Sequence, residues 1–439
     1  MGVSSIASLS RNVIILCLVN FLVILGFGAF NIIRPYLVLA LKGVLTELPE
    51  EVASIDAGEA VVEMGLMMSA FMATRSIMSI VGGWIGDVIE RKKLIILGLS
   101  LYVVVGLLYG VVPSINMLIL LRALQGVASG LVWPVAEALL ADTVPSEFRA
   151  RAISIYVMAS NIARIIGPSI GVVAYTFAVH FLGFKDPLNA FRTPTVLISI
   201  FSLPALIASL TIKGDGGGRI RSGGGLSLRD YFKGFSQLAA KARRSLIVIF
   251  INGISNGIAM GIFMSIATVY AIEYIVKDPA LLGGLMTIAS IAGLISAYPA
   301  SWLSDKIGRK PVVIASMIIS RTSIILYPFT WDFTTLTLIY IARVAAFNIS
   351  RPVMQALQAD ITPKTIMGRV FGLQQAFSNI GMFVGPIIGS YLYYEYRKTT
   401  FLNMPGLTLP FIISGLIGYI TLILFALFVS EPDKKNEIH

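Results

Sequence analysis

One cysteine in 439 residues, Cys17, leaves no partner for an internal disulfide and no basis for a cysteine-clustered metal site. Histidine is almost as scarce. His180 falls near the end of an apolar run and His439 is the last residue, so a histidine proton relay through the middle of the molecule is not expected. The nucleotide-binding loop G-x-x-x-x-G-K-[ST] is missing, which argues against a primary pump within this chain. Glycine runs such as 223–225 lack the strand–turn–helix setting of a phosphate cradle, and no nucleophile–base constellation is visible. Neither enzymatic activity, nor a cofactor, nor a bound metal is expected. Charge is sparse as well: 13% of residues are charged against 56% hydrophobic, with a mean hydropathy of +0.85. A soluble domain of this length cannot bury that much apolar surface, so the chain reads as a polytopic membrane protein.

The net charge of +11 would suggest nucleic acid, but its placement argues otherwise. With both termini set in the cytoplasm, the cytoplasmic segments hold 21 of the 34 Lys and Arg, the outer loops hold 6, and 7 lie inside apolar runs. That asymmetry is the positive-inside bias of a plasma-membrane protein, and it reports orientation. The acidic stretch 47–63 falls on the outside, as the same rule expects.

Twelve runs reach the length of about 20 apolar residues that a spanning helix needs: 12–41, 62–86, 93–112, 116–141, 152–181, 192–212, 245–276, 281–304, 311–330, 333–359, 368–396 and 407–430. The first is too long for a signal-peptide core, and no A-x-A site follows promptly. An even count agrees with both termini on one side. Residues 213–226 are dominated by glycine and are expected to be a flexible linker. In 227–244, Leu228, Tyr231, Phe232, Phe235, Leu238 and Ala239 share one helical face, with Lys233, Lys241, Arg243 and Arg244 supplying charge. This predicts an amphipathic helix on the inner membrane surface, the alternative being a disordered basic linker. The expected division is therefore 1–212, a linker over 213–244, and 245–439.

Two short charged stretches between apolar runs organise the chain. Gly83–Trp84–Ile85–Gly86–Asp87–Val88–Ile89–Glu90–Arg91–Lys92–Lys93 returns 218 positions later as Ser301–Trp302–Leu303–Ser304–Asp305–Lys306–Ile307–Gly308–Arg309–Lys310. At the same offset Pro134 pairs with Pro352, Asp142 with Asp360, Pro145 with Pro363 and Arg151 with Arg369. Between 141–171 and 359–389, 11 of 31 positions are identical without a gap. The paired stretches resemble the loop signature G-x-x-x-D-[RK]-x-G-[RK]-[RK] of the major facilitator superfamily, found there between helices 2 and 3 and again between helices 8 and 9. The resemblance implies an all-α membrane protein with 12 transmembrane helices in two pseudo-symmetric six-helix bundles. It also implies a cavity between the bundles and rocking about it. In that family the loop aspartate ion-pairs neighbouring helix ends and latches one conformation. Carried onto this chain, the latch is Gly83, Asp87, Arg91 and Lys92, with Asp305, Gly308, Arg309 and Lys310. The first copy departs from the pattern, with Val88 in place of a basic residue and Glu90 in place of glycine. Positive-inside anchoring alone is the competing reading of these charges.

Charges at bilayer depth mark a pathway or a pair. Seven arginines lie in apolar runs, Arg34, Arg75, Arg122, Arg164, Arg321, Arg343 and Arg351, against three carboxylates nearer helix ends, Glu63, Glu137 and Glu273. They cannot all be neutralised in place, so either the cavity is wet and positive or substrate anions complete it. In the fourth run Arg122, Gly126, Ser129, Trp133 and Glu137 share one face, as a cavity-lining stripe should. Arg122 with Gly126 resembles the family's R-x-x-x-G signature, associated there with proton transfer; bonding of Arg122 to carbonyls at a helix break is the alternative. Glu137 is the candidate proton carrier, or else half of a plain ion pair. Further candidates for the substrate and proton pathway are Asn31, Arg34, Arg75, Asn161, Arg164, Asn256, Arg351, Gln355 and Asn379, with interhelical hydrogen bonding the alternative for each amide. In the fifth run Gly167, Pro168 and Gly171 match only part of the family's antiporter signature, and close helix packing explains them equally.

The residues and the resemblance together predict a secondary transporter moving a small organic solute by alternating access. Proton-coupled export is the first reading. Uptake or exchange of an organic anion is the second. A non-transporting sensor or scaffold of the same fold is a third, and lipid translocation a fourth. The expected partners are the lipid bilayer, a small molecule, with an organic anion as the alternative reading, and the proton. A monomer is expected, and no nucleic acid.

Overall fold

The computed structural model describes residues 11–213, 240–363, 366–401 and 403–430. The expected linker over 213–226 and surface helix over 227–244 lie outside the described residues, apart from Lys213 and from 240–244, which begin a long helix. The described chain is helical almost throughout: α1 Arg11–Leu41, α2 Val61–Val88, α3 Arg91–Tyr109, α4 Ile115–Thr143, α5 Ser146–His180, α6 Pro187–Thr195, α7 Leu197–Leu210, α8 Ala240–Tyr274, α9 Pro279–Ile307, α10 Arg309–Leu326, α11 Phe333–Ile361, α12 Met367–Tyr396 and α13 Leu409–Phe428. Its one strand pair is the two-residue ladder Thr400–Phe401 with Met404–Pro405. Helices α6 and α7 form one apolar span, Pro187–Leu210, interrupted at Val196.

Eleven spans among the described residues are long and apolar enough to cross a bilayer. The remaining long helix, α12, has 30 residues but is diluted by Gln374, Gln375, Ser378 and Asn379. With it the count is twelve, and the all-α, twelve-span architecture stands. Contacts gather the chain into two compact units: Met1–Ser222 with Val276–Thr287, and Gly223–Ile275 with Ile288–His439. The boundary thus runs through α9, whose first turns belong to unit 1.

Local chemistry explains where the helices start. Ser114 caps α4 by accepting from Met117 N at 3.4 Å, and Asp332, 218 residues on, caps α11 by accepting from Thr334 N at 2.7 Å and Thr335 N at 3.0 Å. Pro134, Pro168, Pro352 and Pro386 all sit inside helices, which is tolerated where neighbouring helices re-satisfy the freed carbonyls.

Close helix packing follows from small residues rather than from a hydrophobic drive, since lipid is as apolar as leucine. In unit 1, a Cβ on Gly28 of α1 would lie 2.8 Å from Gly167 Cα of α5. In unit 2, a Cβ on Gly261 of α8 would lie 3.1 Å from Gly385 Cα of α12. The repeated Gly-Pro segments therefore serve in each unit as the seam between its first and fifth spans.

Candidate functional site

The paired charged stretches form sharp turns, but they do so differently. Between α9 and α10 one residue suffices, Gly308, at φ 100°. That conformation is costly for any residue with a Cβ. The equivalent position in the first copy is Glu90, at φ −53° and ψ 119°, with Ile89 also extended before α3 begins. The departure from the loop signature is thus matched by a two-residue extended turn.

Each turn places an arginine at the first position of the next helix, and each arginine reaches the same partner. Arg91 Nη1 lies 2.6 Å from Asp142 Oδ2 at the end of α4. Arg309 pairs with Asp360 at the end of α11, and its Nη1 also donates to Ala356 O at 2.6 Å. Both arginines and both aspartates are separated by 218 residues, so the repeat reproduces the bridge as well as the turn. Asp142 and Asp360 were visible in the sequence as a repeat pair, yet nothing in spacing alone joins them to the loop arginines. Lys310 Nζ donates to Ala426 O at 2.7 Å, and Lys306 lies 3.7 Å over the Trp302 ring. Asp305 and Gly83 are exposed, Lys92 is half-buried, and the Asp87 side chain lies outside the described residues.

Inside unit 1 the structure brings together two arginines of the pathway candidates, Arg34 of α1 and Arg122 of α4. They are 8% and 3% exposed and within electrostatic range of each other. Arg122 Nη1 donates to Gln125 Oε1 at 2.5 Å, and Tyr109 Oη donates to the same oxygen at 3.1 Å. The Arg122 guanidinium lies 4.6 Å from the Phe71 ring and 5.5 Å from the Phe30 ring, and Phe30 stacks on Tyr109 at 4.6 Å. Such stacking holds a desolvated guanidinium without neutralising it. The Nε atoms of Arg34 and Arg122, Gln125 Nε2, Ser129 Oγ and Tyr102 Oη are buried with no hydrogen-bond partner among the described residues. Gln125, Tyr109 and Tyr102 were not singled out from sequence; the available signal was Gln125 one turn after Arg122.

Unit 2 holds a second buried pair within electrostatic range of each other, Arg321 of α10 and Arg343 of α11, 4% and 5% exposed. None of the four arginines forms an ion pair with a described residue. The peripheral carboxylates are engaged elsewhere. Glu63 meets Lys42 at 2.7 Å; Glu273 lies 3.9 Å from Arg397 and accepts from Tyr393 Oη at 3.3 Å.

The other pathway candidates differ in burial. Arg75 is half-buried, 6.0 Å from the Phe71 ring centre. Glu137, Arg164, Asn31, Arg351 and Gln355 are exposed. Trp133 packs in the hydrophobic core of unit 1 with Leu16, Leu99 and Val132. Asn161, Asn256 and Asn379 are half-buried, and Asn379 Oδ1 accepts from Gln375 Nε2 at 2.8 Å. Gly126 admits α2 against α4, where Thr74 Oγ1 donates to Ala123 O at 2.7 Å.

Comparison with known proteins adds to this geometry. A family model described as Major Facilitator Superfamily matches residues 16–274 and 246–439. Quinolone resistance protein NorA of Staphylococcus aureus (strain COL) is 24% identical over 422 residues, covering 93% of this chain and 97% of its own length. Multidrug resistance protein 1 of Bacillus subtilis (strain 168) is 24% identical over 336 residues, covering 75% and 80%. Among solved structures, a POT family transporter in complex with 5-aminolevulinic acid superposes with a TM-score of 0.73 at 15% identity, over 95% of this chain and 96% of its own.

Proposed function

The chain belongs to the Major Facilitator Superfamily and is a multi-pass membrane transporter, and from that premise we propose that it exports a small organic compound across the plasma membrane by proton-coupled alternating access. The names of two relatives, each a drug-resistance protein, support export. The positive-inside charge pattern supports placing both termini and the Arg91–Asp142 and Arg309–Asp360 bridges at the cytoplasmic end. Those bridges are partly exposed, so each is worth little as static stabilisation. Their value is as contacts that one state makes and another breaks. The latch is then an arginine-to-helix-end bridge in each unit.

The observation that carries the substrate reading is the Arg34–Arg122 cluster. Two desolvated cations without a carboxylate, walled by Phe30, Phe71 and Tyr109, suit a solute that brings an aromatic body and a negative group. A cavity that supplies fixed positive charge raises the affinity for such a solute and disfavours a permanent cation. The same arginines favour the second reading, uptake or exchange of an organic anion, and direction separates the two. Glu137 is the proposed proton carrier because it is the one carboxylate on the polar face of α4.

Proteoliposomes with an imposed proton gradient test the proposal. Solute is expected to accumulate against its own gradient when protons run the opposite way, and Glu137→Gln is expected to leave downhill exchange while abolishing accumulation. Accumulation unaffected by the proton gradient would remove proton coupling. Solute moving with the protons would replace export by uptake.

A further inference from the structure

We propose that the arginine pair of unit 2, Arg321 and Arg343, is a second anion site, taking a small anion such as a halide or a carboxylate. Three observations point there. Both side chains are more than nine-tenths buried, and the Nε of each is buried without a hydrogen-bond partner among the described residues. The Arg343 guanidinium lies 3.6 Å over the Phe263 ring, and among the described residues its one donated bond runs from Nη2 to the weak acceptor Met260 Sδ at 3.1 Å. A guanidinium stacked in this way keeps its N–H edge free, the geometry that receives a carboxylate or halide.

Among the described residues neither arginine forms an ion pair with a carboxylate. Phe263 packs against Tyr327 at 4.9 Å, Tyr340 at 6.3 Å and Phe411 at 6.2 Å. Tyr327 Oη already donates to Ala267 O at 3.2 Å. Arg321 reaches this level because Gly418 of α13 makes room; a Cβ there would lie 2.6 Å from Arg321 Nε. Two cations in such a setting carry a heavy desolvation penalty, which an anion offsets by ion pairing and by accepting the unused donors. This site is built from residues of unit 2, whereas Arg34 and Arg122 belong to unit 1, and the inference does not depend on the direction or coupling of transport.

Thermal unfolding of the purified full chain in detergent, without any gradient, tests it. In a background of a bulky sulfonate at constant ionic strength, chloride or formate, neither of which carries an aromatic body, replaces the sulfonate stepwise. A saturating rise of the midpoint by about 2 °C or more is expected for at least one of them. A rise with chloride alone identifies a free inorganic ion as the occupant; a rise with formate alone identifies an organic carboxylate. The rise is expected to vanish in Arg321→Gln and Arg343→Gln and to persist in Arg122→Gln. Neither glutamine variant strands a buried carboxylate, so both are expected to fold. Should they not, Arg343→Lys keeps the charge but loses the planar fork, and its half-saturating concentration is expected to increase at least fivefold. No rise in the unaltered protein, or a rise of equal size and midpoint concentration in the arginine variants, overturns the proposal.

Discussion

Gly308 and Glu90 occupy equivalent places in the repeat, yet only Gly308 is held at positive φ. Gly308→Ala is expected to destabilise the protein by about 1–3 kcal/mol, the cost of a Cβ in an extended positive-φ conformation that is essentially confined to glycine. Glu90→Ala is expected to stay within about 0.5 kcal/mol, as for a surface position on ordinary backbone. Chemical denaturation of the two variants checks the contrast. At Asp332 the amides of Thr335 and Thr334 hold the carboxyl below the usual carboxylate range. A folded value below the unfolded one means that the contribution is full above the unfolded pKa of about 3.9 and fades as pH falls through the folded value. Asp332→Ala is therefore expected to lower the unfolding midpoint at neutral pH, and the difference from the unaltered protein should shrink in strong acid. These local features were partly legible: the glycine signature and the turn residues are in the sequence, but the conformation that Glu90 adopts is not.

At the scale of helices, the repeat carried more information than any single motif. The 218-residue offset joined Asp142 to Asp360 and Gly167 to Gly385 before their contacts were known. It did not reveal that the loop arginines reach those aspartates, because side-chain partners across α3–α4 and α10–α11 depend on helix rotation, which spacing leaves undetermined. Charge reversal addresses that pairing. Asp360→Arg is expected to slow turnover at least tenfold, and the double change Arg309→Asp with Asp360→Arg to recover most of it. A double change no better than the single one would show that the bridge is not the functional contact. Helix rotation also separated the pathway candidates. Arg34 and Arg122 fall inward together, while Arg164 and Arg351, equally apolar in their neighbourhoods, emerge at exposed positions. Gln125 was missed for the same reason. As an acceptor for both Arg122 and Tyr109 it anchors the cluster. Gln125→Leu is expected to cost about 1–3 kcal/mol by leaving buried donors unmatched.

For the whole molecule, hydropathy and the doubled pattern made the twelve-span fold readable, since backbone in lipid has few alternatives to the helix. What a transporter carries is decided by a handful of side chains inside an otherwise generic architecture, and only their convergence in three dimensions exposes them. The central claim is that a desolvated, uncompensated positive site formed by Arg34 and Arg122 selects the solute. Its most direct measurement is gradient-driven transport of matched aromatic solutes, one bearing a carboxylate and one its neutral amide, in proteoliposomes of the unaltered protein, Arg122→Gln and Arg164→Gln. The account expects the carboxylate to be preferred by at least tenfold, the preference to collapse in Arg122→Gln and to survive in Arg164→Gln. An equal rate for the two solutes in the unaltered protein, or a preference untouched in Arg122→Gln, would contradict it.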